Sequence, residues 1–218
     1  MPRRRLIRQA MFPYHVTTRT NNKEWFKIPL CDVWDFCKES FIYAQEKRPV
    51  KIHCFVLMSN HYHLLLSTPN SDIDEFMMFF NLKLSKLILR DRGAINHCFS
   101  NRYKWTIVDN QSYLLNTYRY IYQNPLRAKI TKNVLSYPYS SIHFTSFESK
   151  KFNYQPHIYY GQEKSWFEKR FSVDLEKIIT KCLKKEKFTL SSRESSFNRT
   201  ALSNTPIKYR NCKKDPRT

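Results

Sequence analysis

Between Val50 and Ser67 two apolar segments of strand length, Val50 to Met58 and His61 to Ser67, are parted only by Ser59 and Asn60. That layout predicts an antiparallel hairpin, solidly apolar as a buried strand pair is. Its second arm reads Ser59-Asn60-His61-Tyr62-His63-Leu64-Leu65-Leu66. Side chains at i and i+2 leave a strand on the same face, so His61 and His63 project together from one rigid edge and can share one metal ion.

The rest of the chain falls into place around this hairpin. Tyr14 to Arg19 reads as a β-branched strand followed by a polar turn at Asn21-Asn22-Lys23. After Pro29 the positions Leu30, Val33, Trp34, Cys37, Phe41 and Ala44 recur at three- and four-residue steps, which predicts an amphipathic helix ending before Pro49. Beyond the hairpin, Ser71 is read as the cap of a second helix whose buried stripe is Ile73, Phe76, Met77, Phe80, Leu84, Leu87 and Ile88, with Gly93 as its stop. Tyr103 to Val108 is the fourth strand. A third helix opens at Asn110 or Ser112 and is expected to finish at Asn124, because Pro125 disfavours helical geometry in the residue before it. Strand, helix, strand, strand, helix, strand, helix is an α+β order: a ferredoxin-like antiparallel sheet with helices on one face, plus an extra C-terminal helix dense in tyrosine. We expect this domain to occupy residues 1–147, closed by the loop Tyr137-Pro138-Tyr139-Ser140-Ser141. A small helical appendage over 148–184 and a solvated basic tail over 185–218 follow.

Lys and Arg number 38 against 18 Asp and Glu, a formal charge of +20. Such a field favours a polyanionic partner, nucleic acid first, through counterion release and steering. The chain lacks both an apolar run long enough to span a bilayer and a cationic amphipathic helix to lie on one. The basic start Met1-Pro2-Arg3-Arg4-Arg5 leads into no apolar core, so a cytoplasmic protein with no membrane partner is expected. The six cysteines show no two-residue spacing of the kind zinc knuckles use and read as reduced core thiols.

The tyrosine helix supplies the remaining chemistry. Positions i and i+4 share a helix face, so Tyr120 points with Asn124, while Tyr118 and Tyr122 form a second pair rotated well away. Only one pair can face the histidines. If the Asn124 amide oxygen joins His61 and His63, a cation has three protein ligands and open positions for phosphate oxygens, which suits phosphodiester cleavage. Tyr120 is then one turn away as nucleophile. Each part also has a plain explanation, as satisfied core histidines, core aromatics and an ordinary helix terminus.

Together the parts resemble the single-tyrosine HUH transposases, and most closely their REP-associated tyrosine transposase branch. The resemblance is carried by five ordered blocks: Tyr14 to Asn22, Asn60-His61-Tyr62-His63-Leu64-Leu65, Asn101-Arg102-Tyr103-Lys104, Arg119 to Ala128, and Tyr137 to Ser141. It implies that His61, His63 and Asn124 hold Mg²⁺ or Mn²⁺, the mixed N/O set suiting Mn²⁺ better. It further implies that Tyr120 attacks a single-stranded DNA phosphate, leaving a 5′-phosphotyrosine and a free 3′-OH. Departures are Ser59 and Tyr62 within the histidine block, and Thr20 and Asn101, where the family tends to have glycine at turns that approach DNA.

DNA contacts are expected from Arg3, Arg4, Arg5 and Arg8 before the first strand and from Arg19, Arg102, Lys104, Arg119 and Arg127 around the site. The expected partner is single-stranded or hairpin DNA, with the protein acting as monomer or homodimer. Two other classes compete. One is a nucleic-acid-binding protein of the same fold that has lost cleavage. The other is an interaction module built on a structural zinc held by Cys54 with the two histidines.

Overall fold

The computed structural model describes residues 5–93, 98–99, 102–191 and 196–205. Four antiparallel strands, β1 (Tyr14–Arg19), β2 (Lys51–Leu57), β3 (His61–Ser67) and β4 (Lys104–Ile107), form one sheet in the order β2-β3-β1-β4. The hairpin predicted from the apolar run is the β2–β3 pair, closed by a hydrogen bond from Met58 N to His61 O at 2.8 Å.

One face of the sheet is covered by α1 (Leu30–Lys47) and α2 (Ile73–Asp91). Tyr14, Val16, Phe55, Tyr62, Leu64 and Leu66 pack there against Phe41, Phe76, Phe80 and Leu84. Alternation along each strand sends the neighbouring residues to the other face. That face is covered by α3 (Gln111–Tyr122), with α6 (Lys164–Glu168), α7 (Val173–Cys182) and α8 (Ser196–Ser203) around it, while the short α5 (Ser146–Lys151) sits by α1 through the Lys38–Glu148 ion pair. Helix α3 is buried at every position from Leu114 to Tyr122, as a helix between a sheet and a further helical layer must be. The ferredoxin-like α+β reading therefore holds, with the tyrosine helix as the extra element.

Three local expectations change. Ser71 is not the cap of α2; it adopts a left-handed φ of 60°, and Asp72 occupies the cap position, its carbonyl accepting from Glu75 N and Phe76 N. The fourth strand is shorter than expected, because beyond Ile107 the ladder makes only one more bond, Val108 N to Pro13 O at 2.9 Å, and Pro13 has no N–H to return. The third helix ends at Tyr122, close to the expected stop, but the chain does not leave helical geometry there. A short α4 (Asn124–Arg127) continues in helical geometry with Pro125 in its first turn, where a missing N–H leaves no hydrogen bond unmade.

Of the segment read as a solvated tail, residues 192–195 and 206–218 lie outside the described residues. The described parts pack: Phe188 is fully buried, Phe188 N donates to Ile107 O, and Asn116 Nδ2 on α3 donates to Leu202 O on α8. The Tyr137–Ser141 segment runs beside β2, with Leu57 N donating to Tyr139 O and the Tyr137 hydroxyl to Leu57 O at 2.7 Å. No helix among the described residues is long and apolar enough to cross a membrane.

Candidate active site

His61 and His63 leave β3 on the α3 side, their ring centroids 5.1 Å apart. Tyr62 between them points into the opposite core, where its hydroxyl accepts from Thr18 Oγ1 and donates to Asn81 Oδ1. An aromatic residue at the middle of the motif is therefore accommodated without touching the site. The same alternation brings His15, Thr17 and Arg19 of β1 beside the histidines, with Thr17 in register with His63 and Arg19 with His61.

Helix α3 begins where the Asn110 side chain accepts from Ser112 N and Tyr113 N. That start fixes which tyrosine meets the sheet. Tyr120 stands edge-on to His63, ring centroids 6.1 Å apart and planes at 87°. Tyr118 and Tyr122 are turned away into the core: the Tyr118 hydroxyl accepts from His157 N, and Tyr122 bonds Ser141 and Tyr154. One turn on, Asn124 Nδ2 donates to the carbonyls of Tyr120 and Ile121. With its nitrogen tied back to the helix, the amide presents Oδ1, which accepts from Arg127 Nη1 at 3.2 Å and keeps a second lone pair.

These groups line one cleft of about 1080 Å³, together with His15, Thr180, Glu176 and six cationic side chains, Arg19, Lys23, Arg102, Lys104, Arg127 and Lys184. Glu176 is the only carboxylate among the described lining residues, so the cleft favours polyanions. Burial brings His15 down to about 3; burial, then Arg19 and Arg127, bring His61 down to about 4. Burial, followed by His15 and His61, holds His63 well below its ordinary value. All three imidazoles are thus neutral, the form that ligates metal.

The donors available toward a divalent cation are two neutral imidazoles and one amide oxygen, a mixed set that suits Mn²⁺ and admits Mg²⁺ when phosphate oxygens complete it. Among the described residues no three or more His, Cys, Asp or Glu side chains form a metal cluster. The zinc arrangement with Cys54 is therefore not present: that thiol is buried against Tyr122 and Ser141, and burial pushes it up.

Arg19, Arg102, Lys104 and Arg127 all reach the cleft. Arg119 does not. One residue before Tyr120 it is rotated to the far side of α3, where its guanidinium lies 3.9 Å from the Phe171 ring centroid and 4.8 Å from that of Trp166. Burial lowers it to about 10, and Nη2 donates to Asn116 Oδ1. Arg8 is engaged with Asp74 through two hydrogen bonds of 2.8 and 2.6 Å, Arg5 is exposed, and Arg3, Arg4 and Asn101 lie outside the described residues. Thr20 adopts ordinary extended geometry (φ −59°, ψ 160°), so this turn has no need of glycine; Asn22 and Lys23 take the left-handed conformations instead.

Sequence reasoning missed several lining residues, His15, Glu176 and Thr180 among them. His15 looked like an ordinary strand position, although its parity with Thr17 and Arg19 assigns it to the histidine face. Glu176 and Thr180, one turn apart on α7, come from the appendage, and no local pattern ties them to the sheet. Glu176 Oε1 accepts from Arg127 Nε at 2.7 Å, Arg127 stacks 4.4 Å from the Tyr120 ring centroid, and Thr180 Oγ1 donates to the Tyr120 hydroxyl at 3.3 Å. Burial works against the Arg127 charge, but Tyr120 and Glu176 outweigh it and hold the guanidinium above its ordinary value.

The family model described as IS200-like transposase matches residues 9–124. Among solved structures the chain is similar to a REP-associated tyrosine transposase bound to a REP hairpin, at 20% identity and a TM-score of 0.56. That likeness covers 66% of this chain and 84% of the other, and at such identity it speaks for the fold. No curated protein matches the chain. A family match across more than half of the 218 residues, on a fold shared with a solved transposase, settles the kinship that the cleft suggests: the chain belongs to the IS200-like transposase family.

Proposed function

We propose that this transposase cleaves and rejoins single-stranded DNA through a 5′-phosphotyrosine at Tyr120, acting at hairpin-forming repeats as a member of the REP-associated branch. The observation that carries the reading is the edge-on approach of Tyr120 to His63 within one chain, with the Asn124 amide oxygen one helical turn away. A site assembled by one chain needs no helix exchanged between subunits, so a monomer suffices.

His61, His63 and Asn124 would hold Mn²⁺ or Mg²⁺, which supplies Lewis-acid polarisation of the scissile phosphate. The chain's own groups do the rest. Arg19, Arg102 and Lys104 bind the phosphates on either side of the scissile one. The Tyr120 oxygen attacks phosphorus, forming the P–O(Tyr) bond as the P–O3′ bond breaks. The phenol proton passes to solvent in the cleft, and the departing 3′ oxygen is protonated to the 3′-OH. Arg127, stacked on the Tyr120 ring, offsets negative charge as the phenol loses its proton. Rejoining reverses the exchange, the 3′-OH attacking phosphorus and Tyr120 leaving, so the bond energy is conserved and no nucleotide cofactor is required.

A second reading, DNA binding without cleavage, rests on one observation: Tyr120 is only 6% exposed, with Thr180 bonded to its hydroxyl. The two readings part in one experiment. Incubated with Mn²⁺ and labelled single-stranded hairpin oligonucleotides, the protein is expected to give a denaturation-resistant adduct. Tyr118→Phe and Tyr122→Phe should retain it and Tyr120→Phe should abolish it. Tight binding with no adduct in the wild type would favour the silent binder.

A further inference from the structure

Hydrogen bonds behind the two histidines determine which nitrogen each presents to the cleft. Asn60 Nδ2 donates to the Lys23 carbonyl at 2.6 Å, so the amide cannot be reversed, and its Oδ1 is the atom 2.7 Å from His61 Nδ1. An amide oxygen only accepts. His61 Nδ1 therefore carries the hydrogen, and Nε2 keeps its lone pair.

His63 is backed by a third imidazole instead. His15 lies in register with Leu65, diagonally across from His63 on the same face, and the two rings are nearly parallel, centroids 5.2 Å apart and planes 18° apart. His15 Nε2 is 2.9 Å from His63 Nδ1, and His15 is only 3% exposed. Two neutral imidazole nitrogens at that distance share one hydrogen, and its owner decides the other end of each ring. If His15 Nε2 holds it, His63 must carry its own hydrogen on Nε2 and can bind no cation there. If His63 Nδ1 holds it, His63 Nε2 is a lone pair and His15 is the Nδ1–H tautomer.

We propose that His15 is a positioning residue that accepts the His63 Nδ1–H hydrogen bond and, in parallel with Asn60 behind His61, keeps both Nε2 lone pairs free for one divalent cation of the Mn²⁺ class. The inference rests on the metal reading above and adds the residues that make the histidine pair competent. In this role His15 and Asn60 act through the two histidines and are not themselves ligands of the cation. The arrangement matches the general rule that a metal-bound imidazole is held through its other nitrogen, here by an imidazole where a carboxylate or carbonyl is usual.

The test is ring ¹⁵N NMR on the metal-free, full-length protein labelled at histidine, followed by Mn²⁺ titration watched by electron paramagnetic resonance. Expected are Nδ1–H tautomers for His61 and His63 and an Nδ1–H tautomer for His15. His15→Leu, which cannot accept, should lose the His63 preference and weaken Mn²⁺ binding about 10- to 100-fold. His15→Gln, whose Oε1 can accept, should retain most of the affinity. An Nε2–H tautomer at His63 in the wild type overturns the proposal, as does a His15→Leu protein with unchanged tautomer and affinity. The wild-type tautomer needs neither variant nor metal, so it decides the His15 assignment even if His15→Leu fails to fold. Failure of the wild type to bind Mn²⁺ in the presence of hairpin DNA overturns the metal reading instead.

Discussion

Arg119 and Arg127 show how little a residue's type says without its angle on the helix. Both are arginines in the same tyrosine-rich block, yet Arg127 lies in the cleft over Tyr120 while Arg119 is pressed between Phe171 and Trp166. We expect opposite phenotypes. Arg127→Gln should fold normally and slow adduct formation roughly 10²- to 10³-fold, the usual cost of one preorganised charged donor. Arg119→Ala should leave DNA affinity and its salt dependence intact but lower stability by about 2–4 kcal/mol, through the lost packing of a buried side chain. Measuring adduct rates, denaturation midpoints and binding across salt for both variants separates the two. A loss of DNA affinity in a stable Arg119→Ala protein would contradict the placement.

At the scale of elements, helix α7 is the one that changes the picture, because it brings Glu176 and Thr180 to a site whose predicted residues come from β1, β3, β4, α3 and α4 and the segment before β4. Glu176→Gln removes the brace on Arg127 without removing the guanidinium. A roughly tenfold to hundredfold slower adduct step, with DNA affinity nearly unchanged, is the expected result, since small misplacements at a reacting centre cost that much. An unchanged rate would reduce α7 to packing. Most of the other elements were legible: the hairpin from its two apolar arms, α1 and α2 from three- and four-residue stripes, and the separation of the Tyr120–Asn124 face from the Tyr118–Tyr122 face from helical spacing. What was not legible has physical reasons. Pro125 reads as a stop, yet at the first turn of α4 it asks for no N–H. The stretch from Lys184 to Thr205 looks solvated because its apolar residues are sparse, and among the described ones Phe188 and Leu202, far apart in sequence, are buried separately beside β4 and α3. His15 was readable from strand parity but gave no signal on its own.

For the molecule as a whole, charge and buried histidine set how it responds to its surroundings. With a net charge of +20, DNA binding should weaken steeply with salt, and Arg102→Gln or Lys104→Gln should each lower the slope of log affinity against log salt by about 1. Acid should unfold the protein through its interior. His53, hydrogen-bonded to Gln155 O and Ser67 Oγ, and His15 are both held down to about 3, His53 by burial and then by His157. The unfolded chain takes up protons below about 6.5 and the native state does not until near 3. This contribution is therefore complete above pH 6.5 and is lost as pH falls toward 3, at up to about 1.4 kcal/mol per pH unit for each histidine. Urea midpoints at pH 7, 6 and 5 should fall in that order, and a midpoint that rises on acidification would contradict this.

In the proposed reaction one phenol, placed by the start of α3 and the parity of β3, becomes the covalent partner of DNA. Protease digestion of the trapped adduct and mass spectrometry of the nucleotide-bearing peptide test it most directly. Nucleotide mass is expected on Tyr120 and on no other tyrosine, with the phosphate retained on the peptide side of the break. A modified Tyr118, Tyr122 or any residue outside the cleft would contradict it.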